Sequence, residues 1–272
     1  MEIFRYELAR SWRGTLGWMV AIAAAATLYL SLYGSIADMM TGSDSMLNSL
    51  PPALTKSIGF DAISSGAGYA QSTLFGLLGF VLLVIASVVW GTSAVAGAEE
   101  SGHLELTLAH AVSRTGYFLQ MLLALLVRTG LIAATVGVMT FILNEPGSLN
   151  LNTSNILPMC VSYWLLGVAC GSAALGVGAA TGAKRLATGA GATIAVLAYM
   201  LNALGKQNPD WEWMLTTSPY HWTFGESPLM NGWDGQGVLW LSLLSLFFIL
   251  LGWAVFTRRD VAQQTYGQLP TA

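Results

Sequence analysis

Apolar residues in this chain gather into six long runs, typified by FGLLGFVLLVIASVVW, separated by stretches that carry most of its glycine, proline and charge. A helix needs about 20 residues to cross the hydrocarbon layer, so uninterrupted runs of roughly 18 or more predict transmembrane helices. The runs put spans at 16–36, 72–95, 117–143, 157–180, 186–204 and 238–256. A membrane barrel would show segments of about ten residues with alternating polarity, and these do not alternate. The predicted fold class is all-α, a polytopic membrane protein with one transmembrane domain over 1–272.

Ahead of the first run, Phe4, Leu8 and Trp12 recur at helical spacing and define one apolar face, with Glu2, Glu7, Arg10 and Arg13 elsewhere on the wheel. That pattern predicts an amphipathic interfacial helix over 1–15, and the first run is expected to be retained as a span. Composition agrees: 54% apolar and 9% charged residues with mean hydropathy +0.61 exceed what one soluble core can hide. Charge adds orientation. With both termini inside, Arg5, Arg10, Arg13, Arg114, Lys184, Arg185, Arg258 and Arg259 are inside and only Lys56 and Lys206 outside, the bias that cytoplasmic loops carry. The expected location is a bacterial inner membrane, multi-pass, with cytoplasmic termini. Cys160 and Cys170 are ten positions apart in one span, about 15 Å along its axis, too far for a disulfide.

Two external segments are long. The first, 38–71, is rich in glycine, serine and proline. The second, 205–237, holds Trp211, Trp213, Tyr220, Trp222, Phe224 and Trp233 beside Pro209, Pro219 and Pro228. Such aromatics favour the membrane interface and predict short helices dipping into the outer leaflet; a purely anchoring aromatic belt is the alternative.

Chemistry is sparse. Arg128 lies about 16 Å into the third span, where a charge costs at least about 2.5 kcal/mol and must face protein or a wet cavity. A lock between helices and a contact to an anionic substrate group both remain open. Gly167 with Gly171, and Gly178 with Gly182, have the four-residue spacing of close helix contacts. No P-loop, G-x-S-x-G or H-E-x-x-H occurs, so neither a catalytic nor a metal site is expected. A membrane-embedded enzyme or a non-transporting scaffold or sensor are the rival readings. The basic clusters are too small for nucleic-acid recognition.

The loop at 97–116, GAEESGHLELTLAHAVSRTG, concentrates charge in a chain poor in it. Its leucines and charged flanks suit a short amphipathic helix offered to a soluble partner, with a merely solvated loop as the alternative. The run AEESGHLELTLAHAVSR resembles the intracellular loop of the ATP-binding-cassette type-2 permeases: an acidic pair, a spacer with glycine, L-E-L-L-L, then P-V-S-R. Glu99, Glu100, Gly102, Leu104, Glu105, Leu106, Leu108, Val112, Ser113 and Arg114 match; Thr107 and Ala111 depart, the latter where proline is usual. The amphipathic start, six spans, aromatic external segment and terminal Thr257-Arg258-Arg259-Asp260 extend the likeness along most of the chain.

The resemblance implies a half-size exporter permease whose loop, His103 included, is a coupling helix that docks on a nucleotide-binding subunit. It implies two permease chains, the same or similar, with two cytoplasmic ATPase subunits that carry ATP and Mg, and no cofactor on this chain. The apolar, charge-poor interior suits lipophilic or amphipathic cargo such as a drug or antibiotic.

Overall fold

A computed structural model of the chain describes residues 2–41, 65–109 and 112–259. Residues 42–64 of the first external segment, His110, Ala111 and Asp260 lie outside the described residues. Every long apolar run becomes a helix: α1 (Glu2–Thr41), α2 (Gly66–Glu100), α4 (Arg114–Ile142), α5 (Ile156–Thr181), α6 (Lys184–Gly205) and α10 (Gly235–Arg258). Six helices are thus long and apolar enough to cross a membrane, and among the described residues there is no strand. Between them, among the described residues, lie four short α-helices, α3 (His103–Ala109), α7 (Glu212–Thr216), α8 (Pro219–Phe224) and α9 (Pro228–Asn231), and two short 3-10 helices, Thr153–Asn155 and Pro209–Trp211.

The bundle is built around α5. Its glycines, alanines and serines let neighbouring backbones approach, and packing of this kind, not the hydrophobic effect, drives helix association in lipid. A Cβ at Gly252 of α10 would lie 2.5 Å from the Gly176 Cα, and one at Gly91 of α2 would lie 2.2 Å from the Gly171 carbonyl oxygen. Replacing Gly252 by leucine is expected to cost about 2 kcal/mol or more through overpacking of α5 on α10, read as a lower melting temperature in detergent. Gly167 and Gly171 do pack against α2 and α4. Gly182 has another role: at φ 71° it is the left-handed cap that ends α5, which suits glycine because a Cβ is disfavoured there.

No break separates the expected interfacial helix from the first span. Helical structure runs unbroken from Glu2, and the start of α1 lies along α4. The Phe4 amide donates to Gln120 Oε1 at 3.2 Å, and 26 residues later the Leu30 carbonyl faces Gly147, so the two helices run parallel in near-constant register. The inward face of this segment includes Phe4, Glu7 and Leu8, while Trp12 is 52% exposed.

One end of the bundle carries α3, Lys184 and Arg259, and is called the basic end; the other carries α7 to α9 and is called the aromatic end. Two stretches of α2, Ala70–Gly79 and Ser93–Gly97, are wound as π-helix, one toward each end. Wider turns of this kind often mark functional sites.

Candidate functional site

At the basic end, α2 closes on Glu99 and Glu100, and both are engaged inside the chain. Glu99 is buried and forms a two-pronged pair with Arg259: Nη1 donates to Oε1 at 2.8 Å and Nη2 to Oε2. The same guanidinium donates from Nε to the Ala179 carbonyl at 2.7 Å, in the last turn of α5. Glu100 does different work. Ala183 ahead of α6 has no side chain to cap it, so Glu100 Oε1 accepts from the Lys184 amide at 2.7 Å, while Oε2 lies 3.5 Å from Lys184 Nζ. A carboxylate at a helix N-terminus satisfies an otherwise unpaired N–H and suits the helix dipole.

Arg114 completes the tie from the start of α4, donating to the Phe256 carbonyl at 3.3 Å and to the Arg259 carbonyl. Ser113 caps α4, its Oγ accepting from the Gly116 amide at 3.1 Å. The charged residues flanking the loop therefore join the ends of α2, α4, α5, α6 and α10.

The helix α3 stands on this tie. Gly102, at φ 73°, makes the turn into it. Leu104 is fully buried and Leu108 packs partly against the core, whereas His103, Glu105 and Leu106 face outward, Leu106 at 65% exposure. His103 Nδ1 lies 2.9 Å from Ser101 Oγ. Beside α3 opens a polar cavity of about 420 Å³ lined by Glu7, Arg10, Ser93, His103, Tyr117 and Lys184.

Arg128 sits deeper, its side chain 4% exposed, between α1 and α2. Its counter-charge is Glu7: Nη2 donates to Glu7 Oε1 at 3.1 Å and to the Glu7 carbonyl at 3.2 Å, with the guanidinium 5.5 Å from the centre of the Trp90 ring. Its Nε has no hydrogen-bond partner among the described residues. On the helical wheel of the first turns Glu7 lies away from the Phe4, Leu8 and Trp12 stripe, so the sequence does not point it at Arg128. The signal available was an unmatched arginine in one helix and an acid among the first turns of another.

At the aromatic end, Pro209, Pro219 and Pro228 each occupy the first turn of a short helix, where a missing N–H costs nothing. Asn208 and Ser218 cap two of them. Tyr220 reaches furthest in, with ring centres 5.3 Å from Phe80, 5.4 Å from Tyr199 and 4.6 Å from Phe224, and its hydroxyl donates to the Gly76 carbonyl at 2.9 Å in the first π-wound stretch. Burial raises the Tyr220 phenol well above its ordinary value, keeping it a donor. Gln71 locks the segment in place, donating to the Phe224 carbonyl at 3.0 Å and accepting from the Leu229 amide at 3.2 Å. Phe224 is buried; Trp211 and Trp213 are exposed; Trp222 donates from Nε1 to the Thr216 carbonyl at 2.8 Å.

Beneath Tyr220 an apolar groove of about 400 Å³ runs between α2 and α6, lined by Leu77, Val81, Ile85, Val196, Tyr199 and Met200. No group of three or more His, Cys, Asp or Glu able to hold a metal ion occurs among the described residues.

The chain is thus a bundle of six long apolar helices with an apolar groove between α2 and α6 at its aromatic end. Residues 8–257 match the family model described as the C-terminal domain of the multidrug efflux system permease Rv1217c, and the chain belongs to that family. It is a transporter permease subunit of the multidrug efflux kind. No curated protein matches the chain.

Proposed function

We propose that the chain is the permease subunit of an ATP-binding-cassette exporter, powered by separate cytoplasmic ATPase subunits that bind ATP and Mg. It works with a second permease subunit, the same or similar, in a bacterial inner membrane, with the basic end and both termini cytoplasmic. The observation that carries this reading is α3: a short helix with one leucine buried in the bundle and Glu105 and Leu106 outward, mounted on two ion pairs and on arginine–carbonyl hydrogen bonds that together reach five span-forming helices. A displacement of α3 by a docked ATPase is passed to those helices as tilt because packed helices shift as units.

In this reading His103, Glu105 and Leu106 meet the ATPase. Glu99, Glu100, Gly102, Leu104, Leu108, Ser113 and Arg114 hold α3 in position. The apolar groove between α2 and α6 is open to the outside of the bundle, its lining residues Leu77, Val81, Ile85, Val196 and Met200 being exposed, which fits a pathway completed by a second permease and a lipophilic or amphipathic small molecule such as a drug or antibiotic.

Replacing Leu106 by arginine tests the docking surface. Leu106 lies outward, so the variant is expected to keep the wild-type melting temperature while export of a lipophilic dye from cells falls at least about tenfold, on the scale of losing an interface anchor. Unchanged dye export would remove α3 as the coupling element.

A further inference from the structure

A second cavity, of about 380 Å³, opens at the aromatic end between α8 and the first turns of α10, lined by His221, Trp222, Glu226, Asp234, Gln236 and Trp240. Its chemistry differs from that of the apolar groove. Trp222 and Trp240 stand nearly stacked, with ring centres 6.0 Å apart at 29°. Asp234 is already committed, its Oδ1 accepting from the amides of Gln236 and Gly237 to cap α10. The Glu226 carboxylate makes no hydrogen bond or ion pair within the described residues, although Glu226 lines the cavity and interacts electrostatically with His221. The imidazole of His221 is half-buried, and its Nδ1 is enclosed with no hydrogen-bond partner among the described residues. Burial, then the nearby Lys206 charge, lower its pKa against the opposing pull of Glu226 and Asp234, which favours the neutral ring.

We propose that this cavity is a binding site for small organic cations, with Glu226 as the counter-charge and the Trp222 and Trp240 indoles as its walls. The faces of indole rings attract cations, and a carboxylate with no partner among the described residues supplies the charge. An anion would meet two carboxylates, and the amides of α10 that could receive it are occupied by Asp234. A metal ion is disfavoured because the His and acid side chains here do not converge on one point. The cavity is large enough for a quaternary ammonium carrying a single ring. The inference rests on the exporter reading only in taking this end as the exit side, where the site would hold cationic compounds as they leave.

The test is calorimetric titration of the purified full chain in neutral detergent with benzyltrimethylammonium, with no ATPase present, so its result is separate from that of the ATPase reading. Saturable one-to-one binding is expected, weakened about tenfold by Glu226→Gln and by Trp240→Leu at unchanged melting temperature. Glu145→Gln, which removes an exposed acid from the loop between α4 and α5 at the same end, is expected to bind like the wild type. Absence of saturable binding, wild-type affinity in Glu226→Gln, or an equal loss in Glu145→Gln overturns the proposal. Glu226 is exposed, so that variant decides the question even if Trp240→Leu folds poorly.

Discussion

Replacing Glu7 by leucine is expected to destabilise the detergent-solubilised chain by about 3 kcal/mol, because it strands the Arg128 guanidinium, only 4% exposed, without a counter-charge. The reverse change should cost less. Arg128→Leu leaves Glu7 unpaired, but that carboxylate is 27% exposed and lines the polar cavity, where water can reach it. The expected loss there is under about 2 kcal/mol. The double variant Glu7→Leu with Arg128→Leu should return close to wild type, since replacing both members of a buried pair by packed apolar groups is often neutral. Melting temperatures of the four proteins measure all three terms. An additive double variant would mean that the two side chains do not act as a pair.

The second large effect is expected at Glu99. Its carboxylate is held by Arg259, which also reaches the end of α5, so Glu99→Ala removes the link between the loop and α10 and leaves a mostly buried guanidinium behind. A loss of about 3 kcal/mol in stability is expected, together with loss of dye export. Export alone would not separate coupling from folding. The charge exchange Glu99→Arg with Arg259→Glu supplies the separation: it should recover much of the stability. Recovery of export along with stability would mark the pair as a mechanical tie, whereas stability without export would mean that Glu99 itself meets the partner. Glu100→Ala should be milder, about 1 kcal/mol, because Glu100 is a half-exposed helix cap.

Much of the architecture is legible along the chain. Uninterrupted apolar runs have one physical solution in lipid, a helix with its backbone bonds satisfied internally, and that fixes the number of spans and their approximate ends. The short helices of the aromatic end are also signalled, by Asn208-Pro209 and Ser218-Pro219, since a capping side chain followed by proline is a helix start. What is not legible is pairing across distance. Arg128 and Glu7 are 121 residues apart, and Arg259 and Glu99 are 160 apart; no local pattern links either pair. Loop acids at a membrane boundary read naturally as docking charges, yet Glu99 is buried against Arg259 beside α5, and Glu100, still exposed, caps α6, which lacks a cap of its own. The spacing of Gly178 and Gly182 resembles a packing motif, but the start of a new helix at Lys184 makes Gly182 a terminator. The π-wound stretches of α2 carry no sequence mark, because their register is set by tertiary contacts such as the Tyr163 and Tyr220 hydroxyls donating to the Gly79 and Gly76 carbonyls.

In the proposed function the tie at the basic end has one partner: a cytoplasmic ATPase that grips the outward face of α3. The most direct measurement is purification of the intact chain from its native host in mild detergent after crosslinking, with co-purifying proteins identified by mass spectrometry. The account predicts an ATP-binding-cassette ATPase at near-equal stoichiometry, lost from the Leu106→Arg variant. Recovery of the chain with no ATPase, or of the same ATPase in equal amount with Leu106→Arg, would contradict it.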